Sequence, residues 1–193
     1  MVQIIGPVTF DEVLTAFRRD HPAARDHEAN TNQEAENMLS LADQIFGTWS
    51  KARLSRAEIR AVILPWHLSE GGAYALVPRT GLTIGQAADL LRSRAAELAA
   101  ANPRCTAKID RFRDSPFTSV YFSREPVPHS DYADLRTGEG LVHLDGLHRL
   151  LAWELAGRLG GRLSGRLSRD DDGPIAFIAG TPAPHAPSGG RRT

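Results

Sequence analysis

The sequence predicts an α+β fold in which a helical N-terminal half packs on a small mixed β-sheet. Three observations point there. Four hydroxyl residues in the first hundred positions stand three places ahead of a Glu or Gln, the pattern of a helix-starting capping box. Beyond residue 116 the chain turns to short runs of β-branched and aromatic residues. Between two such runs, Asp145-Gly146 separates an apolar stretch from a helical one, as a strand, a tight turn and a helix would.

Taken in order, Thr9 with Glu12 opens the first helix, which carries Phe10, Val13, Leu14 and Phe17 on one stripe and stops near His21-Pro22. Thr31 with Glu34 opens the second, with Met38, Leu41, Ala42, Ile45 and Phe46 at helical spacing. Ser55 with Glu58 opens a third, carrying Ile59, Val62 and Ile63 and ending before Pro65. Ala73 to Val77 follows the Gly71-Gly72 turn as a short strand. Thr83 with Gln86 caps a long helix running to Ala101, which Asn102-Pro103 ends. Strands are expected over Phe117–Ser123, Gly140–Leu144 and Pro174–Ala179, and a helix over Leu147–Arg158. Residues 1–179 read as a single α+β domain, mainly helical over 1–102, and Gly180 to Thr193 as a disordered tail rich in Pro, Gly, Ser and Arg. Gly-Arg-Leu recurs at residues 157, 161 and 165, read as a solvated linker or alternatively as a phosphate-binding arm.

Composition narrows the function classes. Lys+Arg and Asp+Glu are both 23, and a zero balance disfavours nucleic acid as a partner, since a dedicated DNA binder needs a basic face. Cys105 is the sole cysteine, so no intramolecular disulfide forms and a reducing cytoplasm is the expected setting. No apolar run approaches the roughly 20 residues that span a bilayer. Only Lys51 and Lys108 are lysines among the basic residues, and with abundant Ala and Gly this matches the codon bias of a high-GC bacterium. Oligomeric state is not encoded in any pattern of the chain.

The segment His143-Leu144-Asp145-Gly146-Leu147-His148-Arg149 concentrates the chemistry. Alternation puts His143 and Asp145 on one face of a strand, with Val142 and Leu144 on the other. Gly146 permits the sharp turn, and Asp145 is placed to cap the following helix. The first turn of that helix offers unpaired N–H groups and the positive end of its dipole. Gly146, His148 and Arg149 then form an anion- or phosphate-binding set, and Asp145 with His148 a catalytic pair able to accept and donate a proton or to hold Mg2+. The plain alternative is that Asp145 caps the helix, Arg149 pairs with a carboxylate and His148 is an ordinary, partly buried histidine.

The strand–Asp-Gly-x-His-Arg–helix pattern, with Leu150, Leu151, Ala152 and Gly157 behind it, resembles the ParB/sulfiredoxin superfamily, whose members hold nucleotide phosphates at such a turn. Ser115 to Val120 resembles the strand that precedes the motif in those folds, and the likeness spans residues 110–180. Leu147 stands where sulfiredoxins carry cysteine, which puts sulfinic acid repair aside, and the Gly-Glu-Arg-Arg box of chromosome-partitioning ParB is missing. The resemblance therefore implies the free-serine-kinase branch: ATP or ADP with Mg2+ as cofactor, a small hydroxyl compound as substrate, and a place in bacterial specialised metabolism. The upstream glutamate base of such kinases has no clear counterpart; Glu70 is the nearest guess.

Two other classes stay open. His143, Asp145 and His148 offer two imidazoles and a carboxylate, a set that suits non-haem iron or zinc. A non-enzymatic interaction protein needs none of this. Trp66-His67 after Pro65 reads first as packing and second as a pocket wall, and Cys105, beside Arg104 with no assigned base, reads as inert.

Overall fold

The computed structural model describes residues 2–22, 31–68, 75–136, 140–160 and 173–181. The hydroxyl–acid signatures all form. Thr9, Thr31, Ser55 and Thr83 each accept a hydrogen bond from the backbone N–H three residues on, and Glu12, Glu34, Glu58 and Gln86 reach back to the cap. They start helices α1 (Phe10–Asp20), α2 (Asn32–Phe46), α3 (Arg56–Ala61) and α4 (Ile84–Ser93). Each box satisfies donors that a bare helix start leaves orphaned.

The ends depart from the apolar spacing. Helix α3 stops at Ala61, because Val62 is extended (φ −61°, ψ 130°) and Ile63–Leu64 join the sheet as β3. The expected long helix to Ala101 breaks at Arg94 (φ −126°, ψ 33°) into α4 and α5 (Ala95–Ala101). Pro103 does not end the helical region. It opens α6 (Pro103–Phe112) from the first turn, where a missing N–H costs no hydrogen bond.

The first half is also less purely helical than its stripes imply. It supplies β1 (Gln3–Val8), β2 (Trp49–Arg53), β3, β4 (His67–Leu68), β5 (Ala75–Val77) and β6 (Leu82–Thr83). Later come β7 (Val120–Ser123), β8 (Val142–Asp145), helix α7 (Leu147–Leu155), a 3-10 turn at Arg158–Gly160 and β9 (Ile175–Ala179). The strand expected from Gly71-Gly72 onward is described only as β5; positions 73 and 74, Glu70, most of the Gly-Arg-Leu repeat and residues 182–193 of the expected tail lie outside the described residues.

Seven strands form one mixed sheet in the order β1-β2-β9-β7-β8-β3-β6. The β9–β7 and β8–β3 pairs are parallel and the other four antiparallel. β4 and β5 pair separately. Strand alternation builds a core on each face. Val120, Phe122, Ala176 and Ile178 join the core of α3, α4, α6 and α7, whereas Tyr121, Phe177 and Ala179 join that of α1 and α2. Helices thus cover both faces of an α+β sheet. Among the described residues, no helix is long and apolar enough to cross a membrane.

Helix α7 is the most enclosed, with seven of its nine residues buried, Leu150, Leu151, Ala152 and Trp153 completely. Glu154 at its end is also fully buried. Its carboxylate receives Arg56 (2.9 and 2.7 Å), Arg60 (2.5 Å) and Arg92 (3.3 Å), which ties α7 to α3 and α4. Burial alone would push the Glu154 carboxyl up, but the three guanidinium hydrogen bonds outweigh it and bring it from 4.5 down to about 2. A carboxylate whose folded-state pKa is depressed contributes stability that is complete above about pH 4.5 and is lost as pH falls toward 2.

Replacing Glu154 with Gln is therefore expected to destabilise the fold at neutral pH. The loss should be on the order of 2 kcal/mol, below the ~3–5 kcal/mol of a fully enclosed pair because the arginines stay partly wetted. Urea denaturation between pH 7 and pH 2 checks it: the wild-type advantage over E154Q shrinks through the acid limb, and a constant difference would contradict the assignment.

Candidate functional site

Strand β8, flanked by β7 and β3, ends at Asp145, and Gly146 turns the chain into α7 with φ +112°. That left-handed backbone suits glycine, and a Cβ there would stand 3.0 Å from Val120 Cγ1. Asp145 does not cap the helix as its position suggests. Gly146 is the N-cap with no side-chain bond, and Asp145 Oδ2 instead accepts from Arg149 Nη2 at 2.8 Å. Arg149 also donates to Thr118 Oγ1 at 2.5 Å. His21 Nε2, at the end of α1, lies 3.4 Å from the same carboxylate oxygen, while its Nδ1 donates to the Phe17 carbonyl at 2.8 Å. Asp145 thus gathers the turn, α1 and α7 around one buried charge.

These residues line a cavity of about 990 Å3, at the upper end of small-molecule pockets. Positions 145 to 149 all face it, as does His143. Five histidines, His21, His67, His129, His143 and His148, account for every histidine among the described residues, and all five line this cavity. Core histidines placed by packing alone would be scattered; their convergence makes the cavity the candidate site. Buried hydrogen bonds brace its polar side chains. Tyr132, whose phenol burial pushes well above the usual range, donates to the His143 carbonyl at 2.9 Å. Burial works against the charge of Asp20, but hydrogen bonds from Arg19 (2.9 Å) and the Ser119 N–H (2.8 Å) hold its carboxyl below the ordinary value.

Beside the cavity, three side chains from distant elements form a metal-competent group. His67 on β4, Cys105 on α6 and His148 on the first turn of α7 have ligating atoms mutually within 4.8 Å, the one such group of three among the described residues. Cys105 is buried, with Sγ 3.7 Å from His67 Nε2. The His67 and His148 rings meet edge to face at 5.3 Å. Zn–N of about 2.05 Å and Zn–S of about 2.3 Å at a tetrahedral angle separate N from S by about 3.6 Å. The His67–Cys105 spacing already matches that edge.

The group differs from the His143, Asp145, His148 set in two of its three members. His148 is shared, but its companions come from 81 and 43 positions upstream, and Asp145 is engaged by Arg149. Cys105 is not the isolated thiol its sequence context suggests, and Trp66-His67 does line the pocket. No spacing motif announces either: Cys105 lies on the helix hidden by Pro103, and His67 on a two-residue strand.

The turn makes its own demand. Gly146→Ala should cost about 1–3 kcal/mol, from a positive φ combined with crowding against Val120. A melting temperature unchanged by the substitution would show that the backbone relaxes there.

Neither the curated proteins nor the solved structures contain a match to the chain. The model of a family of unknown function (DUF6309) matches residues 2–191, almost the whole length, and the chain belongs to that family.

Proposed function

We propose that the protein is a zinc-dependent enzyme acting on a small polar molecule bound in the histidine-lined cavity. The carrying observation is the His67–Cys105–His148 group, in which His67 and His148 line the cavity and Cys105 is buried behind them. One thiolate and two imidazoles suit zinc, and three protein ligands leave a tetrahedral ion one position for an outside ligand, the pattern of catalytic rather than structural sites. Non-haem iron is less well served, because its facial triad takes a carboxylate that this group lacks. Asp145 and His143 stand in the same cavity as groups able to position or exchange a proton with the bound molecule.

A nucleotide-dependent kinase of a hydroxyl compound, the ParB/sulfiredoxin-like reading, keeps one supporting observation: residues 145–149 line the cavity at the N-terminus of α7. Against it, Arg149 already holds Asp145 and Thr118, so its fork is not open to phosphate.

Elemental analysis and thermal shift separate the two. Zinc at one equivalent is expected, with a shift corresponding to about 2.7 kcal/mol at a hundredfold excess over Kd. His67→Ala and Cys105→Ser should each abolish it, and cobalt substitution should show a thiolate charge-transfer band that Cys105→Ser removes. His143→Ala should keep its zinc. A chain that binds no zinc but is stabilised by ATP with Mg2+, with the stabilisation lost in Asp145→Ala, would overturn this reading in favour of the kinase.

A further inference from the structure

Two imidazoles of the cavity, His21 and His129, belong to neither the metal group nor the β8–α7 segment, and their hydrogen bonds fix opposite tautomers. His21 follows the last turn of α1. Its Nδ1 stands 2.8 Å from the Phe17 carbonyl, and its ring stacks on the Phe17 ring at 4.3 Å and 25°. A carbonyl oxygen only accepts, so Nδ1 of His21 carries the hydrogen, and in the neutral ring Nε2 carries the lone pair. His129 is the reverse. Its Nδ1 accepts from the Asp131 N–H at 3.3 Å, so its Nε2 carries the hydrogen.

The accepting nitrogen of His21 is placed for use. It lies 3.4 Å from Asp145 Oδ2, and among the described residues it makes no hydrogen bond. The side chain lines the cavity and keeps 12% of its surface exposed. Asp145 is fixed in turn, because Arg149 Nη2 holds the same oxygen at 2.8 Å. We infer that His21 is the proton acceptor of the cavity, taking a proton through Nε2 from an O–H, N–H or activated C–H group of the bound molecule, with Asp145 as its positioning partner. The bond to hydrogen breaks, its electron pair stays on the substrate atom, and the proton joins the Nε2 lone pair. The imidazolium so formed sits against the Asp145 carboxylate and returns the proton as the product forms. Nδ1 keeps its bond to Phe17 throughout, so the carbonyl and the stacked ring hold the imidazole in one plane before and after the transfer.

This inference rests on the reading of the cavity as an active site and not on the identity of the metal, and its test separates the two. The probe is 5-nitrobenzisoxazole, a flat neutral molecule whose C–H is removed by a base while its N–O bond opens to a coloured phenolate. Turnover is followed on the full-length, zinc-loaded chain, with zinc content measured alongside. The wild type should exceed free imidazole at equal concentration, and His21→Ala should fall roughly a hundredfold, the lower end of what a positioned base contributes. Added imidazole should restore part of the His21→Ala rate, which a purely structural loss would not allow. Asp145→Asn should lower kcat with little change in KM. Labelled-histidine NMR on the wild type, which needs no folded variant, should show His21 as the Nδ1–H tautomer. A wild type no faster than imidazole, a rate that survives in His21→Ala, or an Nε2–H tautomer would overturn the inference. Loss of rate together with zinc in His21→Ala would assign the base to the metal site instead. His21-dependent turnover in a chain that binds no zinc would sink the zinc reading and leave His21 in its role.

Discussion

A helix buried on nearly every side cannot carry charge inward unless its neighbours answer it, and α7 carries charge at both ends. Arg149 and Glu154 lie five residues apart, with fully buried Leu150, Leu151, Ala152 and Trp153 between them. An isolated charge in such surroundings would cost several kcal/mol, so each must find a partner in a different element. Glu154 takes arginines from α3 and α4. Arg149 takes Asp145 from β8 and Thr118 from the segment before β7. The hydrophobic burial of α7 positions the helix, and the pairing at its two ends sets its rotation and depth. His148, next to Arg149, inherits that placement, which is how a residue of the first helical turn meets β4 and α6.

The legible part of this fold was the part written locally. A hydroxyl and a carboxyl three residues apart act within one turn, so α1, α2, α3 and α4 begin where the sequence says. Strands β7, β8 and β9 lie within a few residues of their β-branched runs. Strands β1 and β2 were hidden, because neither Gln-Ile-Ile-Gly-Pro-Val nor Trp-Ser-Lys-Ala-Arg alternates cleanly, and both are held by pairing with partners far along the chain. Helix α6 was hidden by a rule applied at the wrong end: Asn102-Pro103 terminates one helix and also starts the next.

The site divides along the same line. Asp145, Gly146, His148 and Arg149 are contiguous, so a strand–turn–helix reading brings them to one cavity. Their roles were less legible than their positions. Asp145 has the residue type and place of a cap, yet the buried guanidinium four residues on is the stronger claimant for its oxygen. His67 and Cys105 belong to elements 38 residues apart, and neither stands in a ligand motif of recognisable spacing. Only tertiary structure joins them, and what it joins is a donor set softer than the histidine–carboxylate set that local spacing suggested.

The engagement of Arg149 also decides what gives the cavity its affinity for negative charge. A phosphate cradle needs donors that are open when the ligand arrives, and here the guanidinium nearest the turn is committed to Asp145 and Thr118. The positive end of the α7 dipole remains, but as a partial charge that fades within a turn. On the zinc reading a stronger source lies beside the turn: a divalent ion held by one thiolate and two neutral imidazoles would keep one net positive charge. The physical reason to favour the proposed metal-dependent reaction over phosphoryl transfer is therefore that the guanidinium a phosphate would need is already committed, while His67, Cys105 and His148 stand together with ligand spacing.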